Sequence, residues 1–344
     1  MGSMIAHYSY PSFVLALIIS VPSVILYVIE VVIILKHRRS FKSAFFHLFI
    51  ARFICNFLNY FGSFLYAKFG RIGLFHKSFE SLHPRILATA SFFNSYSFHT
   101  DNLSTFFILL NRLTLILFPL KHTKIWEKFI VFSILVIFLL PLPFTYETLG
   151  YNYYIRKQSD NWTFTLDFYR EEDKTYVRSV CLCAISAVLF CVICGFLNIL
   201  TIYVYHKNNR KYAMLGGTIM NKAKEDERKM ESRLTIYAFV TFVAQLCMAI
   251  YNILIYITSN TALDTLFLAT FNQYGWVNDL TTITIPACCL IWASSKVREK
   301  VIGALMINRK SENPLFSKSS KVESQPKTIT VTLRHLYESQ LSLD

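Results

Sequence analysis

An all-α bundle of seven membrane-spanning helices, with the N-terminus outside and a short amphipathic helix after the seventh span, is the fold this sequence predicts. Three observations carry it. Seven long apolar segments lie between Pro11 and Ala293, basic residues concentrate in alternate loops, and only 16% of residues are charged while 54% are apolar. Soluble domains average about 25% charged residues, and the mean hydropathy here is +0.40. One such segment could be a buried helix in a soluble core; seven would leave too little polar surface for solubility.

The segments are residues 11–35, 44–67, 86–118, 129–150, 179–205, 234–257 and 265–293. Each meets the roughly 20 residues needed to cross about 30 Å of hydrocarbon at about 1.5 Å per residue. No water is available there for bare backbone groups, so the chain satisfies them internally as helix. The first segment has no basic residues before it and is too long for the core of a cleaved signal peptide. It reads as a retained span that also directs insertion, preceded by an extracellular N-terminus at residues 1–10.

Orientation follows from the basic residues. The loops after spans one, three and five and the tail hold 24 Lys or Arg, whereas the N-terminal segment and the loops after spans two, four and six hold 9. The basic side is cytoplasmic. Lys36, Arg38, Arg39 and Lys42 weigh most because the first helix usually dominates. A net charge of +14 would otherwise suggest nucleic acid, but these charges sit in short loops beside a membrane, where anionic lipid is the better partner.

The loop His206 to Arg233 ends in charges of both signs at helical spacing, which suits an extension of the sixth span into water. Such an extension either carries motion to a partner or is simply a solvated helix face. After the seventh span, Val297, Val301 and Leu305 share one face with basic residues elsewhere, predicting an interfacial helix over 294–307. From 308 to 344 polar residues and two prolines replace that periodicity, predicting a disordered cytoplasmic tail.

The eight cysteines do not form a disulfide framework. Cys55, Cys191, Cys194, Cys247, Cys288 and Cys289 fall inside spans, and Cys181 and Cys183 have no partner in the loop after span two or at the outer end of span three. No metal-ligand spacing occurs, and no cofactor is implied. Asn161-Trp162-Thr163 is a glycosylation sequon on the predicted outer side, whereas Asn102-Leu103-Ser104 lies within a span, out of reach of glycosylation. No catalytic motif for a metalloprotease, a serine hydrolase or a phosphate loop is present, so an enzyme is not expected.

The third span carries the sharpest signal. Leu110-Asn111-Arg112-Leu113-Thr114 marks its end, followed by Phe118-Pro119, Lys121-His122 and Ile125-Trp126. An arginine here must reach the interface or a partner. The seven-residue step from Arg112 to Pro119 resembles the third-helix motif of rhodopsin-like G-protein-coupled receptors, with Asn111 replacing the acid and Leu113 the tyrosine. The whole run is more similar to nematode chemosensory serpentine receptors of the class gamma superfamily, classes gamma and v in particular. Pro22-Ser23 with Leu26-Tyr27 and Lys42-Ser43-Ala44-Phe45-Phe46 fit the same pattern, and the resemblance covers residues 11 to about 303.

That resemblance implies a plasma-membrane receptor of chemosensory neurons, in the cilium, that binds a small external molecule and activates a heterotrimeric G protein. Asn111, Arg112, Pro119 and Pro286 would then belong to the activation machinery. Arg112 would switch between intramolecular restraint and contact with the G protein. Pro286 is expected to kink the seventh span, with Cys289 where rhodopsin-like receptors carry a tyrosine. A second copy of the chain, in a receptor dimer, is a further candidate partner.

Charged residues within spans require partners. Arg52 and Asp101 fall at comparable depth on the second and third spans, which predicts an ion pair, with Glu30 of the first span joining it; separate polar cavities are the alternative. Polar groups among aromatics suggest a ligand pocket built from Asn94, Ser95, Phe98, His99, Gln245, Asn252, Asn278 and Asp279. The same groups suit interhelical hydrogen bonding. Asp279 would favour a cationic ligand unless an internal basic partner cancels it. A seven-span ligand-gated channel subunit or a transporter is the alternative function. The sequence shows no internal repeat of the kind transporters carry.

Overall fold

The structure, a computed structural model, describes residues 2–69, 72, 78, 81–157, 164–168, 173–214, 222–260 and 264–312. Residues 1–301 form one compact unit and 302–344 a second, of which the described part is the end of a helix. Helix α1 spans Gly2–Lys36, α2 Ala44–Ser63, α3 Pro84–Leu117, α4 His122–Leu139, α5 Asp173–Met214 and α6 Lys222–Asn260. Helix α7 is segmented into Asp264–Asn272, Tyr274–Asp279, a π-helical turn Leu280–Thr284, and Ile285–Ala293. The chain bends by 99° at Ser294 and resumes as α8, Ser295–Glu312. Together these make the all-α seven-transmembrane bundle.

The bundle is turned inside out relative to a soluble protein. On α5, Ile185, Val192 and Ile199 lie on one face and are 59%, 66% and 70% exposed, a stripe suited to lipid. Arg52, Asn56, Thr100, Ser104, Asn111 and Asp279 are instead buried completely. Five of the described helices are long and apolar enough to cross a membrane alone, and α7 with α8 qualifies as a bent pair; α3 does not. Its 34 residues reach about 51 Å at about 1.5 Å per residue, so length is not its limit. Helix α3 packs against α2, α4, α5 and α6, meets little lipid, and can therefore carry polar side chains.

Several boundaries differ from the apolar runs, for physical reasons. The fourth span, expected over 129–150, begins earlier, at His122, and reaches Gly150 as α4, His122–Leu139, followed by two short turns, Leu142–Thr145 and Tyr146–Gly150. Pro141 and Pro143 lack the N–H groups that would carry the helix on. Helix α6 begins at Lys222, well ahead of the apolar run at 234, because the mixed charges before it are helix-compatible in water. Helix α8 ends at Glu312 rather than at 307. Its buried Val297 and Val301 face the core of the first unit, and the Ser294 hydroxyl caps it by accepting from the Val297 N–H at 3.3 Å.

Among the described residues, two strands form a hairpin. Strand β1, Tyr153–Lys157, pairs antiparallel with β2, Phe164–Phe168, in the register Tyr153 to Phe168. Aromatic and β-branched residues in both strands favour it. The Tyr153 hydroxyl lies 2.8 Å from that of Ser91 and docks the hairpin on α3.

A kink is expected at Pro286; what stands there is a π-helical turn, Leu280–Thr284, just before the proline, whereas the sharp bend comes later, at Ser294. Proline offers no N–H to the carbonyl four residues back, Thr282. Asn56 Nδ2 donates to that freed oxygen at 2.8 Å, so the break in α7 becomes a bond to α2. Helices α2 and α3 pack tightly at Gly62, where an added Cβ would sit 3.3 Å from the Ala90 carbonyl oxygen and 3.4 Å from Phe93 Cβ. Gly62→Val is expected to force these helices apart and destabilise the bundle by about 1–3 kcal/mol. The thermal midpoint of the purified chain reads this directly; an unchanged midpoint would show that the contact tolerates bulk.

Candidate ligand cavity and intramembrane polar network

At the end of the bundle away from Arg112, the structure holds a cavity of about 90 Å³. Asn94, Ser95 and Phe98 of α3 and Asn252 of α6 line it, as expected. Tyr151, Tyr153, Met248, Phe271 and Tyr274, none of them expected from the sequence, line it too. Their positions come from the hairpin, a break in α7 and the face of α6, which no helical period of the spans reveals. The Tyr274 hydroxyl donates to Asn94 Oδ1, and the Tyr274 ring packs 5.9 Å from Tyr251 and 6.3 Å from Phe271. No described residue of the lining carries a formal charge.

Four of the expected pocket residues stand elsewhere. His99 turns toward α5, with Nδ1 at 3.4 Å from the Ser186 hydroxyl and Nε2 at 3.7 Å from Cys183 Sγ. Gln245 and Asn278 border a smaller, deeper chamber of about 20 Å³. Asp279 borders neither cavity, because Lys68 Nζ reaches its Oδ2 at 2.6 Å and its Oδ1 at 2.9 Å. Lys68 lies just beyond the second apolar run, yet it is 3% exposed and lies 4.5 Å and 4.3 Å from the Tyr60 and Phe64 ring centroids. Burial pushes its ammonium below the usual lysine range, and the carboxylate beside it pulls the other way. The basic partner that would cancel a preference for cations is thus in place.

Deeper in the bundle, Arg52 Nε donates to Asp101 Oδ1 at 2.7 Å and Nη2 to Oδ2 at 3.1 Å. A bidentate guanidinium–carboxylate pair is among the strongest polar contacts available. Asn56 Nδ2 adds a bond to Oδ1 at 3.0 Å, and Gln245 Nε2 donates to Oδ2 at 3.2 Å and to the Asp101 carbonyl at 2.8 Å. With the bond from Asn56 to Thr282, the network ties α2, α3, α6 and α7. Glu30 does not join it. Its side chain is fully buried on α1 and approaches the Ile291 backbone of α7 rather than the Arg52–Asp101 pair.

At the other end, the third-helix motif folds into a joint with α4. Asn111 Nδ2 donates to His122 Nε2 at 3.1 Å, and Trp126 Nε1 donates to the Thr114 hydroxyl at 2.8 Å. Trp126 is 2% exposed, so its indole needs that acceptor. Arg112 is buried, with its guanidinium carbon 4.5 Å from the Phe45 ring centroid, a cation–π geometry. Pro119 stands in the turn between α3 and α4, where its missing N–H costs nothing to a helix. Thr114→Val is expected to strand the indole N–H and destabilise the protein by about 1–3 kcal/mol. Thr114→Ser, which keeps the hydroxyl, should be close to native in the same thermal melt.

All eight cysteines are free thiols. Asn161 lies outside the described residues, as does the tail beyond Glu312. Residues 16–307 match the sequence model of the serpentine type 7TM GPCR chemoreceptor Srv family, which is one of the two classes the third-helix motif resembles. No curated protein matches the chain.

Proposed function

We propose, because the chain belongs to the serpentine type 7TM GPCR chemoreceptor Srv family, that it detects a small external molecule in the 90 Å³ cavity and activates a heterotrimeric G protein from the Arg112 end. It is a multi-pass membrane protein of a receptor family. Plasma-membrane residence in a sensory cilium, an outside N-terminus, an interfacial role for α8 and glycosylation at Asn161 complete the reading. The excess of Lys and Arg in alternate loops supports the orientation.

The observation that carries the ligand half is the convergence of Asn94, Ser95, Phe98 and Asn252 with Tyr274 on one cavity walled by aromatic rings. A few polar groups in an apolar concavity suit a small organic ligand. The signalling half rests on Arg112 against Phe45 beside the Asn111–His122 and Thr114–Trp126 bonds. In the resting state this holds the guanidinium within the bundle, and activation frees it to meet the G protein. Gln245 and the Asp101 network lie between the two ends and carry the change.

The test is a panel of volatile and water-soluble compounds applied to cells expressing the full chain, with G-protein dissociation as readout. For any active compound, Asn94→Leu is expected to raise the half-maximal concentration at least about tenfold, the effect of about 1.4 kcal/mol, at unchanged surface expression. Equal potency in the variant would remove the cavity from the account.

A further inference from the structure

The chamber of about 20 Å³ beneath the ligand cavity shares Phe98 and Met248 with it and is otherwise edged by amides, hydroxyls and Asp101. Three polar atoms of residues on its wall make no close hydrogen bond, Asn59 Oδ1, Asn102 Nδ2 and Asn278 Nδ2, the last also standing within reach of the Asp279 carboxylate that Lys68 already meets. These residues are 3%, 6% and 2% exposed, so bulk solvent does not satisfy them. Stranding one such group carries its full desolvation penalty. Three at one void call for a shared partner.

The space and the donor set identify it. A single water needs about 10–15 Å³ of such volume and two to four polar partners. Two amide N–H donors and one amide oxygen acceptor match a water that accepts twice and donates once. A cation fits poorly, because the negative charge on the wall is already committed. Asp101 Oδ1 accepts from Arg52 Nε and Asn56, and Oδ2 from Arg52 Nη2 and Gln245. A carboxylate has about four lone-pair sites, and all four are used. An anion fits no better, since the Arg52 charge is paired with that same carboxylate.

We infer that this chamber is a binding site for one uncharged water molecule, bridging Asn59 of α2, Asn102 of α3 and Asn278 of α7, and that it is closed to sodium. The bridge joins the three helices directly under the floor formed by Phe98 and Met248. It does not depend on which ligand fills the space above, or on any G protein.

A map of the full chain in lipid nanodiscs, at a resolution that shows ordered water, tests this. Samples are prepared in sodium chloride and in N-methylglucamine chloride at equal ionic strength, with thermal midpoints measured in both. The expected result is one isolated peak about 2.7–3.2 Å from each of the three amides in both salts, and equal midpoints. An empty chamber would overturn the inference. So would a peak confined to the sodium sample, or a midpoint raised by sodium.

Discussion

Asp101→Asn is expected to abolish most folded receptor at the cell surface. The substitution leaves the Arg52 guanidinium, 0% exposed, facing a neutral amide within the bundle. Removing one partner of a buried ion pair costs about 3–5 kcal/mol, a large share of a net stability of about 5–15 kcal/mol. Here the carboxylate also accepts from Asn56 and Gln245, so the loss spreads to α6 and, through Asn56, to the freed Thr282 carbonyl of α7. Arg52→Gln should be nearly as damaging, because it strands the carboxylate instead. The double variant Arg52→Gln/Asp101→Asn removes both charges and should recover part of the lost expression. Surface labelling with the thermal midpoint of the purified protein reads all three. Native behaviour of both single variants would mean that each charge is solvated independently.

Lys68→Met should give the second large effect, for the same reason at a different place. It leaves Asp279, 0% exposed, without the ammonium that now meets both its oxygens, again at about 3–5 kcal/mol. The lysine stem lies along Gly275, with Cγ and Cε 3.6 Å and 3.7 Å from the place a Cβ would occupy, so methionine keeps most of the packing. The fall in thermal midpoint therefore reports the charge. Lys68→Met/Asp279→Asn is expected to regain stability relative to Lys68→Met alone. If the single variant melts like the native chain, the pair contributes nothing and Asp279 is free to meet a ligand.

The spans other than α3 were legible because the bilayer imposes a length and a composition that a window along the chain reveals, whereas α3 falls short of that composition. Arg52 and Asp101 were legible as a pair because two charges at equal depth in hydrocarbon leave few alternatives. Lys68 was not. It follows the second apolar run directly, and only the π-helical continuation Phe64–Lys68 turns it back toward α7. His99 shares a helix face with the cavity residues, yet the hydroxyl and thiol of α5 draw its ring away, and a helical wheel of α3 alone has no record of α5. Tyr151 and Tyr153 reach the cavity through a hairpin whose strands lie in a region read as loop. The role of Pro286 was half legible: the missing N–H follows from proline itself, whereas the bond from Asn56 to Thr282 needs the fold. The third-helix motif was legible as a spacing, and the bonds from Asn111 to His122 and from Thr114 to Trp126 give that spacing its cause.

The proposed coupling to a G protein, rather than a ligand-gated pore, is what the cavity and the Arg112 joint both serve. The direct measurement is ligand-evoked nucleotide exchange on a heterotrimeric G protein, using the full chain in nanodiscs and an active compound from the cell panel, beside patch recordings of the same chain. The account predicts exchange that rises with ligand and is lost in Arg112→Ala at unchanged ligand potency for binding, and no current in excised patches. A ligand-gated current that persists in an excised patch without GTP, with no ligand effect on exchange, would contradict it.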